Sequence, residues 1–188
     1  MAGRNVGDAV ANYRADLQRA FRCLNAFVRV DFLAPDHSIG AKCSWLLLGP
    51  GEYVGIELPG CPGTRFEASQ TLEIVECDPA KYGGRVRLTT RSYDYSVGEP
   101  GKGELWAMHW HPDSQESDVD YPHIHLRRLF GPGAHLATSR LLVEHAIHWA
   151  IEGGATPRYE SGKWQTELQE TILNHMGEST WSVSRRSE

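Results

Sequence analysis

A series of short segments rich in β-branched and aromatic residues runs from about residue 26 to residue 129, and only brief turn sequences separate them. The separators are glycine and proline clusters such as Gly49-Pro50-Gly51 and Gly98-Glu99-Pro100-Gly101. Parallel strands need a crossover of a dozen or more residues, whereas antiparallel strands need only a short turn. The sequence therefore predicts an antiparallel meander of about five to seven strands. The predicted strands cover about residues 26–33, 43–48, 53–58, 67–76, 85–97, 105–111 and 123–129.

Helical periodicity appears on both sides of this region. Between residues 8 and 24, apolar residues recur every three or four positions, which predicts an amphipathic helix. A second predicted helix covers about residues 139–152, with Thr138 or Ser139 as its N-cap, and a third covers about residues 163–176. The predicted fold class is therefore α+β: an antiparallel sheet with one N-terminal and two C-terminal helices, in a single domain from residue 1 to 188.

Composition restricts the class of protein. Of the 188 residues, 40% are hydrophobic and 23% are charged, which is typical of a folded domain in water. The start of the chain has no apolar stretch of signal-peptide length, and the longest apolar run, from Trp45 to Leu48, is too short to span a bilayer. We therefore expect a cytoplasmic protein with no membrane partner. The net charge of −5 argues against an overall basic nucleic-acid-binding surface but allows a local basic groove.

Four of the nine histidines form two alternating pairs, His109 with His111 and His123 with His125. Residues two apart in a strand share a face, so each pair points to one side of its strand. If the two strands form one hairpin that is symmetric about Ser117, His109 faces His125 and His111 faces His123. We therefore expect all four imidazoles to share one patch. A register shift of two residues keeps that shared face, whereas a shift of one destroys it.

Acid–base catalysis is the leading interpretation of this patch. Two histidines of near-neutral pKa can deprotonate a ribose 2′-hydroxyl and protonate the leaving 5′-oxygen, which is the chemistry of a metal-independent ribonuclease without a cofactor. His109, His111, His123 and His125 are then the catalytic candidates. Neighbouring cationic and aromatic residues are candidates for phosphate contacts and base stacking. These substrate-binding candidates are Arg91, Tyr93, Tyr95, Arg127, His135 and Arg140.

A metal site is the second interpretation. Imidazole is a common ligand of divalent transition metals, and two His-x-His pairs present three or four nitrogens. Glu116, Asp118 and Asp120 follow the first pair and can add a carboxylate. A third interpretation is a non-enzymatic binding module whose acidic loop, residues 113–120, contacts a basic partner. The remaining interpretation is a surface or structural cluster of histidines that binds nothing.

Three short motifs carry a resemblance to a known family. They are Tyr93-x-Tyr95, Pro122-His-Ile-His125, and His135-Leu-Ala-Thr-Ser-Arg140 leading into a helix. Over about residues 85–152 the chain resembles small bacterial proteins of the TumE type, which are regarded as toxins of toxin–antitoxin modules. That family tends to have Arg-Tyr-Asp-Asn where this chain has His-Trp-His-Pro, so Tyr95, His123 and His125 are the residues that carry over. The resemblance implies a toxin with a helix-turn-helix antitoxin as partner, and the histidine chemistry adds RNA as its substrate.

Overall fold

The computed structural model describes residues 2–33, 38–112, 119–131 and 133–177. Its helices are α1 (Val6–Phe21), α2 (Pro79–Tyr82), α3 (Arg127–Phe130), α4 (Val143–Glu152) and α5 (Lys163–Gly177), with a short 3₁₀ turn at Pro50–Glu52. Its strands are β1 (Arg29–Leu33), β2 (Lys42–Leu48), β3 (Ile56–Glu57), β4 (Arg65–Glu76), β5 (Val86–Glu99), β6 (Gly103–Trp110), β7 (His123–His125) and β8 (Leu136–Ala137).

The strands form one antiparallel sheet in the order β1-β2-β4-β5-β6-β7-β8, and the short β3 pairs with β4 beside this path. The predicted α+β class, the antiparallel meander and the N- and C-terminal helices are confirmed. Two details differ from the prediction. The segment after His125 turns into α3 instead of continuing as a strand, and β8 adds a two-residue strand that the sequence pattern did not predict.

The long strands β4 and β5 form the centre of the sheet. Burial along β4 alternates over most of its length, so that Phe66, Leu72 and Ile74 point into the core while their neighbours are more exposed. The register between the two strands shifts at Thr71 and Leu72, because Arg91 of β5 is an extra residue without a partner in the ladder. Strand β5 in turn pairs with β6, which brings the first histidine-containing segment next to the middle of the sheet.

Helices α1 and α4 pack on one face of the sheet, and α5 packs on these two helices. Helix α1 begins after Asn5, whose side chain accepts a hydrogen bond of 2.9 Å from the amide of Asp8. Helix α4 begins at Val143, so Thr138 and Ser139 are not its N-cap. The amide of Thr138 instead donates to the carbonyl of Pro122, which keeps that segment tied to the edge of the sheet.

No helix in the described part of the chain combines the length and the apolar content that crossing a membrane requires.

Candidate functional site

The pairing of β6 with β7 sets the positions of the paired histidines. His109 lies opposite His123, and Ala107 lies opposite His125. The expected register, with His109 opposite His125 and His111 opposite His123, is therefore wrong by two residues. Because side chains alternate with a period of two, this shift leaves His109, His123 and His125 on one face of the sheet. The opposite face carries Met108 and Trp110, which are buried in the core.

The pairing of β7 with β8 adds a fourth histidine. Because Ile124 lies opposite Leu136, the residue before Leu136 falls beside His125. The ring of His135 lies 4.5 Å from the ring of His125 and 4.8 Å from that of His123, measured between centroids. His135 therefore joins the other three in what we call the histidine cluster: His109, His123, His125 and His135. The sequence pointed to His135 only as a phosphate-binding loop residue.

Three members of the cluster converge closely. The ring of His125 lies 4.9 Å from the rings of both His109 and His123, and these two are 5.6 Å apart. One nitrogen from each of the three rings falls within 4.8 Å of the others. His123 and His125 are buried, His109 is half-buried and His135 is exposed. The cluster is therefore a partly enclosed group that faces solvent on its His135 side.

The hydrogen bonds of these rings leave lone pairs available. Nδ1 of His123 donates to the carbonyl of Tyr121 at 2.9 Å, which leaves Nε2 of its neutral form as the acceptor. Nδ1 of His125 and Nε2 of His109 are buried and have no hydrogen-bond partner. Nε2 of His109 lies 3.4 Å from a carboxylate oxygen of Asp94 but is not aligned for a hydrogen bond.

Burial keeps these imidazoles neutral. Desolvation lowers the pKa of His109 to about 4; the charge of Glu104 opposes this shift, and the charges of His111, His123 and Arg127 add to it. Desolvation also lowers the pKa of His125 to about 4, with further contributions from His109 and His123. The pKa of His123 is lowered by burial as well. A neutral imidazole can donate a lone pair to a metal ion, whereas a general acid at neutral pH needs a protonated one.

A second group of metal-ligand-type side chains adjoins the histidine cluster. Strand β5 places Asp94 directly opposite His109, and the ring of His111 lies 5.6 Å from that of His109. One ligand atom each from Asp94, His109 and His111 falls within 4.8 Å of the other two. Sequence reasoning missed Asp94 because the register between β5 and β6 is not readable from the chain. The signal was present in Tyr93-Asp94-Tyr95, since a polar residue between two inward-facing aromatics points to the opposite face.

The structure places Tyr93 and Tyr95 away from the site. Both are buried on the helix-covered face of β5, where their rings stack with centroids 4.9 Å apart. The hydroxyl of Tyr93 accepts a hydrogen bond from the amide of Leu141. The predicted roles in base stacking or phosphate binding do not fit these positions, because inward-facing positions alternate with the outward face that carries Asp94 and the histidines.

Of the three arginines that were predicted to bind substrate, only some lie near the histidine cluster. Nε of Arg127 lies 2.9 Å from the carboxylate of Glu104, and its charge acts on both His109 and His125. Arg91 instead pairs with Glu73 on β4 at 2.6 Å. Arg140 lies over the ring of Trp110, 3.7 Å from its centroid, on the core side of β6. Arg127 is therefore the predicted arginine that borders the histidine cluster.

The predicted carboxylate ligands Glu116 and Asp118 lie outside the described residues, as does most of the acidic loop that was predicted to bind a partner. Comparison of the chain with protein-family models, with curated proteins and with solved structures found no match.

Proposed function

We propose that this protein binds a divalent transition metal ion through His109, His123 and His125. The observation that carries the proposal is the convergence of three imidazole nitrogens within 4.8 Å on a partly enclosed face of the sheet. Three imidazoles from two adjacent strands form a rigid ligand set, because the hydrogen-bonded ladder fixes their spacing. A short inward movement of side chains is enough to bring such nitrogens to coordination distance of one ion.

Buried polar atoms without a hydrogen-bond partner support the same proposal. Leaving a buried donor or acceptor without a partner costs roughly 1–3 kcal/mol, so folded proteins contain few of them. One of them, Nδ1 of His125, lies inside the cluster, and another, Nε2 of His109, lies at its edge toward Asp94. His123 has the arrangement expected of a metal-binding histidine, since its Nδ1 donates to a backbone carbonyl and its Nε2 is available as a ligand. A bound cation satisfies such lone pairs where no donor reaches them.

The donor set limits which ion is expected. Imidazole nitrogens suit zinc, copper, iron and nickel, whereas magnesium and calcium prefer oxygen ligands. His135 is exposed and reaches His123 and His125 from the solvent side. With three protein ligands, a fourth position remains for water or substrate, and a metal-bound water is a nucleophile near neutral pH. We therefore propose a metal-dependent enzyme in which Arg127, paired with Glu104 in this structure, contacts an anionic substrate.

Elemental analysis of protein purified without an affinity tag tests this proposal. We expect stoichiometric zinc, copper, iron or nickel in the wild type and its loss in the His109→Ala/His123→Ala double variant. His148→Ala is the matched control, because His148 is an exposed histidine on α4 outside the cluster. Circular dichroism checks that each variant is folded. Absence of metal from the wild type, even after dialysis against excess zinc, would refute the proposal.

A metal-independent ribonuclease toxin of the TumE type is the second candidate function. The observation in its favour is Arg127, whose positive charge lies close enough to act on His109 and His125. RNA is then the substrate, and a helix-turn-helix antitoxin is the partner. Growth arrest and RNA cleavage that persist in the presence of a chelator would favour this candidate. Cleavage that stops with the chelator and returns with added metal would favour the metal-dependent enzyme.

A further inference from the structure

We infer that a second metal position, formed by Asp94, His109 and His111, adjoins the first and shares His109 with it. This inference rests on the proposed function, because it extends the same site from one ion to two. Its basis is a second set of converging ligand atoms: Asp94, His109 and His111 each offer one atom within 4.8 Å of the other two.

The strand pairing produces this second set. Asp94 lies opposite His109 across the β5–β6 ladder, and His111 follows two residues later on the same face. One carboxylate oxygen of Asp94 lies 3.4 Å from Nε2 of His109, and the other lies 4.0 Å from Nε2 of His111. The carboxylate therefore bridges the two imidazoles with one oxygen toward each.

The neighbouring carboxylates have other partners. Glu67 pairs with Arg65. Arg127 and Arg128 pair with Glu104 and Glu99 in the same way. The ion-pair contacts of Asp94 within the described residues are to His109 and His111 alone. A carboxylate that meets two imidazoles and no arginine has its negative charge available to a cation.

Solvent reaches this position. Asp94 and His111 are partly exposed, with 44% and 40% of their side-chain surface accessible. Asp94 also lines a shallow cavity of about 190 Å³ together with Ser69, Ser96 and Glu104. An ion held by three protein atoms needs further ligands, and water reaches the exposed parts of Asp94 and His111 to provide them. One carboxylate and two imidazoles suit zinc, cobalt or manganese.

His109 can serve both ions because its ring has two nitrogens. Each nitrogen coordinates one ion after the single ring proton leaves to bulk water, and the resulting imidazolate bridges the pair. Neither Asp94 nor His111 contributes to the first position, and neither His123 nor His125 contributes to the second. The two positions can therefore be removed separately by mutation, except at His109.

Metal titration of the apo-protein with zinc, followed by native mass spectrometry, tests this inference. We expect two ions on the wild type and on the His148→Ala control. We expect one ion on Asp94→Asn/His111→Asn and one on His123→Ala/His125→Ala. Asp94 and His111 are surface residues of the sheet, so their conservative replacement spares the core.

Copper-loaded wild-type protein gives a second readout that needs no variant. An imidazolate bridge couples the two copper spins, so the electron paramagnetic resonance signal per copper should fall as the second ion binds. A wild type that saturates with a single ion and shows no such loss would overturn the second position and leave the proposed function standing. A wild type that binds no ion would overturn both.

Discussion

On the helix-covered side of the sheet, the ring of His175 meets a carboxylate oxygen of Glu144 at 2.6 Å, and both side chains are almost fully buried. On the opposite side, His109, His123 and His125 meet mainly one another. The first arrangement pairs opposite charges. The second brings together three imidazoles that all offer lone pairs. Histidine burial is common to both, but the neighbours differ.

A second polar group on the covered side combines complementary donors and acceptors. Oε1 of Gln70 accepts hydrogen bonds of 2.8 Å from both Tyr13 and Trp45, and its Nε2 donates to the hydroxyl of Tyr95 at 2.5 Å. These polar side chains satisfy one another and link α1 to the sheet. The comparison teaches that polar burial with complementary partners stabilises the fold, whereas convergence of like acceptors lacks such partners, which is why we propose a bound cation there.

The largest expected effect comes from breaking the buried ion pair. His175→Ala leaves the carboxylate of Glu144 buried without its cationic partner, so we expect the free energy of unfolding to fall by about 3–5 kcal/mol. Chemical denaturation measures the change. Leu173→Ala, at an exposed position of the same helix, is the control and should change little. A loss below about 1 kcal/mol would contradict a stabilising role for the pair.

Metal bound at the histidine cluster should stabilise the protein by a smaller amount. Zinc at a free concentration 100 times its dissociation constant should raise the free energy of unfolding by about 2.7 kcal/mol, because only the folded state holds the ligands together. Thermal denaturation with and without zinc measures this gain. The His109→Ala/His123→Ala variant should show none of it, and an equal gain in that variant would place the binding elsewhere.

The pH dependence of stability distinguishes the buried ion pair from the histidine cluster. Burial opposes the charge on His175, but the charge and hydrogen bond of Glu144 prevail and raise its pKa. Burial likewise opposes the charge on Glu144, and the charge of His175 prevails and lowers that pKa. The stabilisation from the pair is therefore full between about pH 4.5 and 6.5 and is lost as pH rises through the raised pKa of His175.

We accordingly expect the difference in free energy of unfolding between the metal-free wild type and His175→Ala to fall above pH 6.5, by at most about 1.4 kcal/mol per pH unit. The cluster histidines have lowered pKa values, so they are neutral in the folded protein but partly protonated in the unfolded chain near pH 6.5, and the comparison with His175→Ala removes their contribution. Denaturation of both proteins at a series of pH values from 6 to 9 measures the slope. A flat profile would show that His175 is not held protonated.

The smallest change in stability is expected when one histidine of the cluster is removed from the metal-free protein. In the metal-free protein, His125→Ala should change the free energy of unfolding by less than about 1 kcal/mol, since the removed ring includes a buried nitrogen without a partner. Urea denaturation in the presence of a chelator measures the change. A large loss would indicate that the cluster is a structural feature like the ion pair.

Local patterns were sufficient to predict most of the fold. Apolar periodicity located α1 and α5, and the short glycine- and proline-rich connections predicted the antiparallel order, because both signals depend on neighbouring residues. The start of α4 was predicted too early, since the backbone of Thr138 bonds to Pro122, a contact that local propensity does not contain. The two-residue strand β8 has too few residues for any pattern.

The site was only partly predictable, for a related reason. Alternation placed His109, His123 and His125 on one face, which needs only a period of two. Asp94 and His135 join them through pairing registers between β5 and β6 and between β7 and β8, which long or bulged connections leave undetermined. The same alternation, applied to Tyr93 and Tyr95, would have directed both into the core.

Nuclear magnetic resonance of the histidine ring nitrogens, recorded while zinc is added to the apo-protein, tests the central claim most directly. The account predicts that nitrogens of His109, His123 and His125 shift into the range of metal-bound imidazole, while those of His145, His148 and His175 keep their positions. Zinc binding that leaves the three cluster rings unchanged, or that shifts the other histidines instead, would contradict it.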